Sequence, residues 1–308
     1  MVQSRSYYKL LLLFAALVCG QVIKADYAIS ESNVSHHLGI SIAGAECNNL
    51  GKADVPVVHQ VGGSATFALR YEMQCDSWFW GLGLEAALQN LNNVLAFTDS
   101  VNRVDIDGDS FSYQYVYTSF KEKDLMANIS IPIFVGKYFS KVYATLGLAI
   151  EIPVWAQYTT QADMYTQGVY PWSITPIVSE GINDFSSLGF YPSHRYTYTA
   201  EYEELVNIVP FVEVGYDCLQ TDNINLRVGA YASCAMPLAS PKMIAISDYS
   251  AVNTNPKKQN QQDLEKNIRW NPIGRSDKYQ ATEYKLEAGV KLTVLFRMPD
   301  NKRCMCDE

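Results

Sequence analysis

The sequence is short of the features that mark several large classes of protein. Its 308 residues carry 24 basic and 32 acidic side chains, a net charge of −8, so it has no basic surplus for binding nucleic acid. Beyond the N-terminus it has no apolar run near the roughly 20 residues of a membrane-spanning helix. Its 7 cysteines include no CxxC pair and are too sparse for a disulfide-rich scaffold. Nucleic acid as a partner, a helical membrane protein and a disulfide scaffold are therefore excluded.

Aromatic residues are plentiful by contrast. The chain has 5 Trp, 21 Tyr and 12 Phe, with 48% hydrophobic and 18% charged residues and a mean hydropathy of −0.08. The hydrophobic share excludes a disordered chain. Low charge combined with many tyrosines disfavours a typical cytosolic enzyme.

The N-terminus predicts export. Arg5 and Lys9 precede an apolar run at 10–18, and Ala25 offers a small residue for cleavage before Asp26. A basic start, a short apolar core and a small cleavage residue are typical of a secretory signal peptide. We expect residues 1–25 to be this signal, read by the general secretory route. Its removal would take the net charge from −8 to −11 because three basic residues lie within it.

A two-residue hydrophobic period recurs along the rest of the chain and predicts β-strands. In the last such segment Leu286, Val290 and Leu292 alternate with polar residues such as Lys285 and Lys291. Successive side chains of a strand point to opposite faces, so each segment has one apolar and one polar or small face. The predicted strands are 37–45, 65–74, 78–89, 125–139, 142–158, 205–219, 224–238 and 283–296.

The connections between these strands alternate in length, which predicts the architecture. Short turns lie at 75–77, 140–141 and 220–223, and long polar segments lie at 46–63, 90–124, 160–204 and 240–278. An even number of strands with short turns at one end and long loops at the other is typical of outer-membrane barrels. We therefore predict an all-β protein, an eight-stranded antiparallel transmembrane β-barrel with short periplasmic turns and four long extracellular loops. The barrel would span 37–297, between periplasmic segments at 26–36 and 298–308.

The polar strand faces carry charges of both signs, which places them inside the barrel. Opposite charges neutralise each other in a confined interior, as buried carboxylates require. The predicted interior network is Arg70, Glu72, Glu85, Glu151, Glu213, Arg227, Lys285, Glu287 and Lys291. Aromatic residues near strand ends predict interfacial girdles: Trp78, Trp80, Tyr138, Phe139, Trp155, Tyr158, Tyr216 and Phe296. A soluble secreted β-protein with its apolar faces inward is the alternative.

The hairpin formed by LMANISIPIFVGKYF at 125–139 and VYATLGLAI at 142–150 resembles the porin-family, OmpA-like barrels of Gram-negative outer membranes, in the form typical of Bacteroidota. The resemblance extends over about 37–297, and Phe296 is similar to the terminal aromatic read by the barrel-assembly machinery. Residues 297–308 depart from that pattern, and no peptidoglycan-binding domain follows. PorT-like relatives imply a role assisting secretion or assembly.

Three groups of residues are candidates for a site. The interior charges are predicted to be structural, with ion conduction and catalysis as alternatives. The third loop carries a predicted recognition surface of amphipathic aromatics, which could instead cap the barrel mouth: Tyr165, Tyr170, Trp172, Tyr191, Tyr196 and Tyr198. Asp105, Asp107 and Asp109 form a weak calcium candidate that lacks the Glu completing a 12-residue calcium loop. No other metal site and no cofactor are expected.

These observations predict a non-enzymatic barrel that acts in envelope integrity or surface recognition. Its expected partners are outer-membrane lipid, the barrel-assembly machinery during biogenesis, and an extracellular or envelope protein. The alternatives are an accessory barrel of a secretion or assembly system, a small-solute channel, and a barrel-borne enzyme that modifies lipids or peptides. The enzyme hypothesis depends on His194, which lies among Tyr191, Ser193 and Arg195 in the longest loop.

Overall fold

The computed structural model describes most of the predicted barrel. The described residues are 34–50, 57–104, 108–173, 175–178, 190–239, 245–249, 268–273 and 284–299. The predicted signal peptide, most of the segment at 26–36, Asp105, Asp107 and most of the tail at 298–308 lie outside them.

The described residues form strands almost throughout. The strands are β1 (Val34–Leu50), β2 (Val57–Cys75), β3 (Trp78–Val104), β4 (Ser110–Phe139), β5 (Val142–Val169), β6 (Ile177–Val178), β7 (His194–Glu201), β8 (Asn207–Gln220), β9 (Ile224–Pro237), β10 (Ser247–Asp248), β11 (Arg269–Trp270) and β12 (Tyr284–Arg297). Eight of them pair antiparallel in the cyclic order β1, β2, β3, β4, β5, β8, β9, β12. The ring closes because β12 pairs with β1, from Leu50–Tyr284 to His37–Arg297. Full closure leaves these eight strands without an open edge in the barrel wall.

The apolar faces of the strands point outward, away from the barrel axis. Leu88, Leu146 and Val290 expose 58%, 61% and 58% of their surface, and about thirty other large apolar side chains are also exposed. Monomeric soluble proteins rarely expose a continuous apolar surface of this size, which indicates that the belt faces lipid. The chain is an eight-stranded transmembrane β-barrel. This orientation excludes the soluble alternative with apolar faces inward.

The height of the belt can be measured on β4. Its outward apolar positions run from Val135 to Leu125, and outward lysines flank them at Lys137 and Lys123. Ten residue steps cover ~34 Å along a strand, or ~26 Å along the membrane normal at a tilt of ~40°. This matches the apolar band of ~25 Å that outer-membrane barrels present to lipid. Separately, no helix among the described residues is long and apolar enough to cross a membrane.

Two of the predicted long loops are mostly strand. The predicted loop at 90–124 consists of the upper parts of β3 and β4, with only residues 105–109 between them, and β1 and β2 occupy most of 46–63. Polar outward residues made these segments resemble loops, because above the membrane the outer face of the sheet is solvated. The third segment also begins with strand, since β5 continues to Val169.

A β-bulge reverses the two faces of β5 after Val154. The register between β4 and β5 shifts at Ala127/Asn128, opposite Pro153 and Trp155. An extra residue reverses the alternation, so Trp155 faces outward while Ala156 and Tyr158 are buried inside. Tyr158 is therefore not a girdle residue. Tyr138 also faces inward, where its ring packs on Phe79 with centroids 5.0 Å apart.

Candidate functional site: the barrel interior and its mouth

The end of the barrel nearest the short turns is filled by an ion cluster around Arg227. The Arg227 guanidinium donates two hydrogen bonds to Glu72, at 2.8 and 2.9 Å, and lies 3.0 Å from Asp217. Arg70 supplies a second cation 3.3 Å from Glu72. Arg227 and Glu72 are fully buried, and a planar guanidinium suits a carboxylate because it donates two parallel bonds.

Aromatic rings enclose this guanidinium. Its central carbon lies 5.0 to 5.3 Å from the ring centroids of Phe79, Tyr138 and Tyr143. Phe79 in turn occupies the space over Gly136, where a Cβ atom would overlap the ring. Gly136 is therefore required by packing, because any side chain would displace the ring that covers Arg227.

The middle of the barrel contains a second cluster. Lys291 Nζ lies 3.5 Å from carboxylate oxygens of both Glu85 and Glu213. The Glu287 carboxylate accepts hydrogen bonds from the Tyr231 hydroxyl at 2.5 Å, the Ser64 hydroxyl at 2.7 Å and the Gln89 amide at 3.3 Å.

Above it, Lys285 Nζ lies 3.4 Å from Glu204 and 3.4 Å from the Met126 sulfur. Glu151 accepts a hydrogen bond of 2.8 Å from the Asn207 amide. All nine charged residues predicted for the interior thus point into the lumen. Asp217 and Glu204 join them, although the sequence analysis did not select either. Asp217 shares the alternation of Glu213, four residues earlier on β8, and that signal could have identified it.

These contacts join distant walls of the barrel. Arg227 and Glu72 belong to β9 and β2, which are three places apart in the ring, and Lys285 and Met126 belong to β12 and β4, which are opposite. An eight-stranded barrel is only wide enough for its own side chains. A cavity of about 60 Å³ remains beside Glu85, Glu287 and Lys291, room for a few water molecules. Side chains therefore obstruct the lumen at three levels.

Described residues of the last long connection cap the barrel mouth at the end away from the short turns. Within them β10 and β11 pair antiparallel. The Ile273 amide donates to both carboxylate oxygens of Glu122, at 2.9 and 3.0 Å. Trp270 accepts a hydrogen bond from the Tyr158 hydroxyl at its carbonyl and donates from its indole to the Tyr117 hydroxyl at 3.2 Å. The sequence did not predict these contacts, because Glu122 was assigned to the loop at 90–124 and Trp270 to the loop at 240–278.

A large aromatic cluster surrounds this cap. Its buried members include Phe97, Phe111, Tyr113, Tyr115, Tyr117, Phe120, Tyr170, Phe190, Tyr191, Tyr196 and Trp270. Burial raises the pKa of Tyr117 to about 12 and also raises the pKa of Tyr113, Tyr115 and Tyr249. The Tyr249 hydroxyl donates to Asp99 at 3.2 Å and contacts that of Tyr117 at 2.9 Å.

The predicted recognition surface is divided by this packing. Tyr170, Tyr191 and Tyr196 are buried in the aromatic cluster. They therefore stabilise the mouth and cannot form a contact surface in this conformation. Trp172 is 67% exposed, and Tyr165 and Tyr198 are half-buried. The alternation of Tyr196 and Tyr198 with Thr197 and Thr199 is the signal that these residues belong to a strand with an inner face.

The remaining hypotheses are the calcium site and the enzyme site at His194. Of the calcium candidates only Asp109 is described, and no group of three or more His, Cys, Asp or Glu side chains suited to a metal occurs among the described residues. His194 begins β7 and packs on the Tyr196 ring at 4.9 Å between centroids. Arg195 forms a two-pronged ion pair with Asp163, at 2.7 and 2.9 Å, which lowers the pKa of that carboxyl.

Comparison with known proteins gives limited likeness. No protein-family model and no curated protein matches the chain. Among solved structures, Ail, the attachment invasion locus protein of Yersinia pestis, is 11% identical, with 85% of this chain and 99% of that chain covered and a TM-score of 0.26. The outer membrane protease OmpT of Escherichia coli is 9% identical, with 88% and 99% covered and a TM-score of 0.31. Because both TM-scores are this low, the assignment of the fold and of the site rests on the geometry of this chain.

Proposed function

We propose that this protein is a closed, non-enzymatic outer-membrane barrel that supports the envelope and presents a rigid recognition platform outside the cell. The observation that carries the proposal is the set of ion pairs joining distant walls, because a lumen crossed at three levels conducts no solute. Short turns face the periplasm in such barrels. The strand extensions of β3, β4, β5 and β7 then project outward.

The platform is built from strand rather than flexible loop. From Lys123 to Ser110 β4 continues for thirteen residues, which adds ~34 Å above the apolar belt at the same rise and tilt. Its inner face is the aromatic cluster, and its outer face carries uncharged polar residues such as Gln114, Thr159 and Thr199. A fixed, hydrogen-bonding sheet face suits recognition of another surface because it loses little conformational entropy on binding.

Planar-bilayer recording tests the closed lumen. The purified protein should give no stable conductance at neutral pH, while its unboiled band should migrate faster than its boiled band on SDS gels. Stable conductance steps from a heat-modifiable sample would contradict the proposal and favour the small-solute channel. A protein that stays soluble without detergent and shows no mobility shift would contradict the membrane barrel itself.

Cysteine labelling in intact cells tests the orientation. Cys218 is exposed on β8 near the short-turn end, so it should not react with a membrane-impermeant maleimide. The variant Thr199→Cys places a thiol on the exposed outer face of β7 and should react. The opposite labelling pattern would place the platform in the periplasm.

The enzyme hypothesis has its own test. If the barrel modified lipids or peptides through His194, the variant His194→Ala would abolish that activity while retaining the heat-modifiable band. We expect no hydrolysis of lipid or peptide substrates by the wild-type protein, and activity lost specifically in that variant would overturn the non-enzymatic assignment.

A further inference from the structure

Two lysines occupy the outward face of β4 just above the apolar belt. Leu125 is the outward residue of that strand at the upper edge of the apolar belt, and Lys123 and Lys121 occupy the next two outward positions, both exposed. No carboxylate of the described residues lies within 4.0 Å of either ammonium group. Each interior lysine, by contrast, has a carboxylate partner.

The residues paired with these lysines on the two adjacent strands are uncharged. Lys123 lies between Asn92 of β3 and Thr159 of β5, and Lys121 lies between Val94 and Gln161. The nearest outward carboxylate further up β5 is Asp163, which lies close enough to Lys121 for that charge to help lower the pKa of the carboxyl, but its two oxygens are held by Arg195 at 2.7 and 2.9 Å. A protein of net charge −8 therefore presents a small surface of positive charge with amide and hydroxyl donors beside it. We call Lys121, Lys123, Asn92, Thr159 and Gln161 the basic rim.

The basic rim lies at the depth of lipid headgroups. Lys123 and Lys121 are two and four residues above Leu125, about 5 and 10 Å further along the membrane normal. The headgroup layer on each side of the hydrocarbon core is about 5 to 8 Å thick. Trp155, whose indole donates to Glu201 at 3.1 Å, marks the same boundary on the neighbouring strand. Lysine stems extend along apolar surface while the ammonium reaches polar groups.

We propose that the basic rim binds the phosphate of an anionic lipid headgroup in the outer leaflet. Two ammonium groups give charge-assisted hydrogen bonds to phosphate oxygens, and Asn92, Thr159 and Gln161 add neutral donors. The acyl chains of the same lipid would lie on the apolar belt directly below. This inference rests on the proposed placement in the outer membrane, with β4 extending outside the cell.

Native mass spectrometry with defined lipids tests the proposal. The wild-type protein in detergent is mixed with phosphatidylglycerol, which is anionic, or phosphatidylcholine, which is zwitterionic. Each lysine near an anionic surface contributes about a fivefold change in binding. The variant Lys121→Gln/Lys123→Gln should therefore retain phosphatidylglycerol ~25-fold more weakly, with little change for phosphatidylcholine.

A matched control comes from the other interface. Lys137 and Lys141 lie at the short-turn end, where the Lys137 ammonium is over the Trp78 ring at 4.9 Å. Lys137→Gln/Lys141→Gln removes the same charge, but the strand partners of Lys137 are Trp78 and Ala144, which have no amide or hydroxyl side chain, so it should weaken phosphatidylglycerol retention much less. Equal loss in both variants would mean that only net charge matters, and wild-type retention in the Lys121/Lys123 variant would leave the rim without a role. Either result overturns the proposal.

Two further measurements distinguish failure of the lipid assignment from failure of the barrel proposal. If millimolar inorganic phosphate displaces phosphatidylglycerol completely, the rim is a free-phosphate site and the lipid assignment is wrong. Both variants should keep the heat-modifiable band, since the substituted side chains face outward. Loss of that band in the wild-type protein would refute the barrel proposal, whereas loss of lipid selectivity alone would refute only the basic rim.

Discussion

Substitution of Arg227 by methionine tests whether interior ion balance stabilises the barrel. Arg227 holds Glu72 through two hydrogen bonds and lies 3.0 Å from Asp217, all of them buried. Methionine fills most of the volume but leaves the cluster with one cation, Arg70, for two carboxylates. Removing one partner of a buried ion pair costs ~3–5 kcal/mol. Because Arg70 remains 3.3 Å from Glu72, we expect a loss near the lower end of that range.

A second substitution identifies the cause. In Arg227→Met/Asp217→Asn the cluster retains one cation and one carboxylate, Arg70 and Glu72, which already form an ion pair. This double variant should therefore recover most of the lost stability, to within ~1–2 kcal/mol of the wild type. Arg227→Met alone removes a charge without restoring balance, so the comparison separates charge from volume.

The assay is the temperature at which the fast-migrating SDS-gel band converts to the slow one. A loss of ~3 kcal/mol corresponds to a fall on the order of 10 °C for a protein of this size. Urea unfolding followed by tryptophan fluorescence gives the same ranking independently. If Arg227→Met is as heat-resistant as the wild type, or if the double variant is less stable than the single, the reasoning from buried ion pairs is refuted.

Three further predictions concern the mouth and the packing of the interior. Glu122→Ala removes the carboxylate that accepts the hydrogen bond of the Ile273 amide, so hydrogen exchange at that amide should accelerate. The variant should still show no conductance, and an unchanged exchange rate would contradict the cap. The pKa of Tyr117 is raised above its ordinary value of 10, so the stability it contributes is complete below pH 10 and lost as pH rises through about 12. Cap fluorescence should therefore change over that window in the wild type and less in Tyr117→Phe, and an identical change in both would refute the assignment. Gly136→Ala should cost ~1–3 kcal/mol by overpacking. Gly44→Ala, whose Cβ would come no closer than 4.0 Å to the Ser64 carbonyl oxygen, should be nearly neutral in the same melting assay.

The local sequence was sufficient to predict the strands of the barrel wall because strand alternation is a local property. A lipid-facing residue such as Leu146 and an inward residue such as Thr145 are adjacent in sequence, so the two faces can be separated without knowing which strands pair. The three short turns fixed the hairpins, and the even strand number favoured closure. The same local rule was wrong after Pro153, because a single bulged residue reverses the faces and leaves no trace in the hydrophobic period.

Contacts between residues distant in sequence determine the structure of the barrel mouth. Glu122 and Ile273 are 151 residues apart, and Tyr117 and Trp270 are 153 apart, so no local pattern could pair them. Outward polar residues made the upper strands resemble loops, and the burial of Tyr170, Tyr191 and Tyr196 depends on chain segments that converge only in the folded protein.

The sequence by itself predicted eight strands, each with one apolar face and one polar or charged face, because adjacent residues of a strand point to opposite sides. The tertiary structure decided that the apolar faces point outward and the charged faces inward. The tertiary structure alone decided which charges pair across the lumen, where β3, β4 and β5 end, and how the last connection caps the mouth. Those outcomes depend on register, bulges and side-chain packing between strands that are distant in sequence.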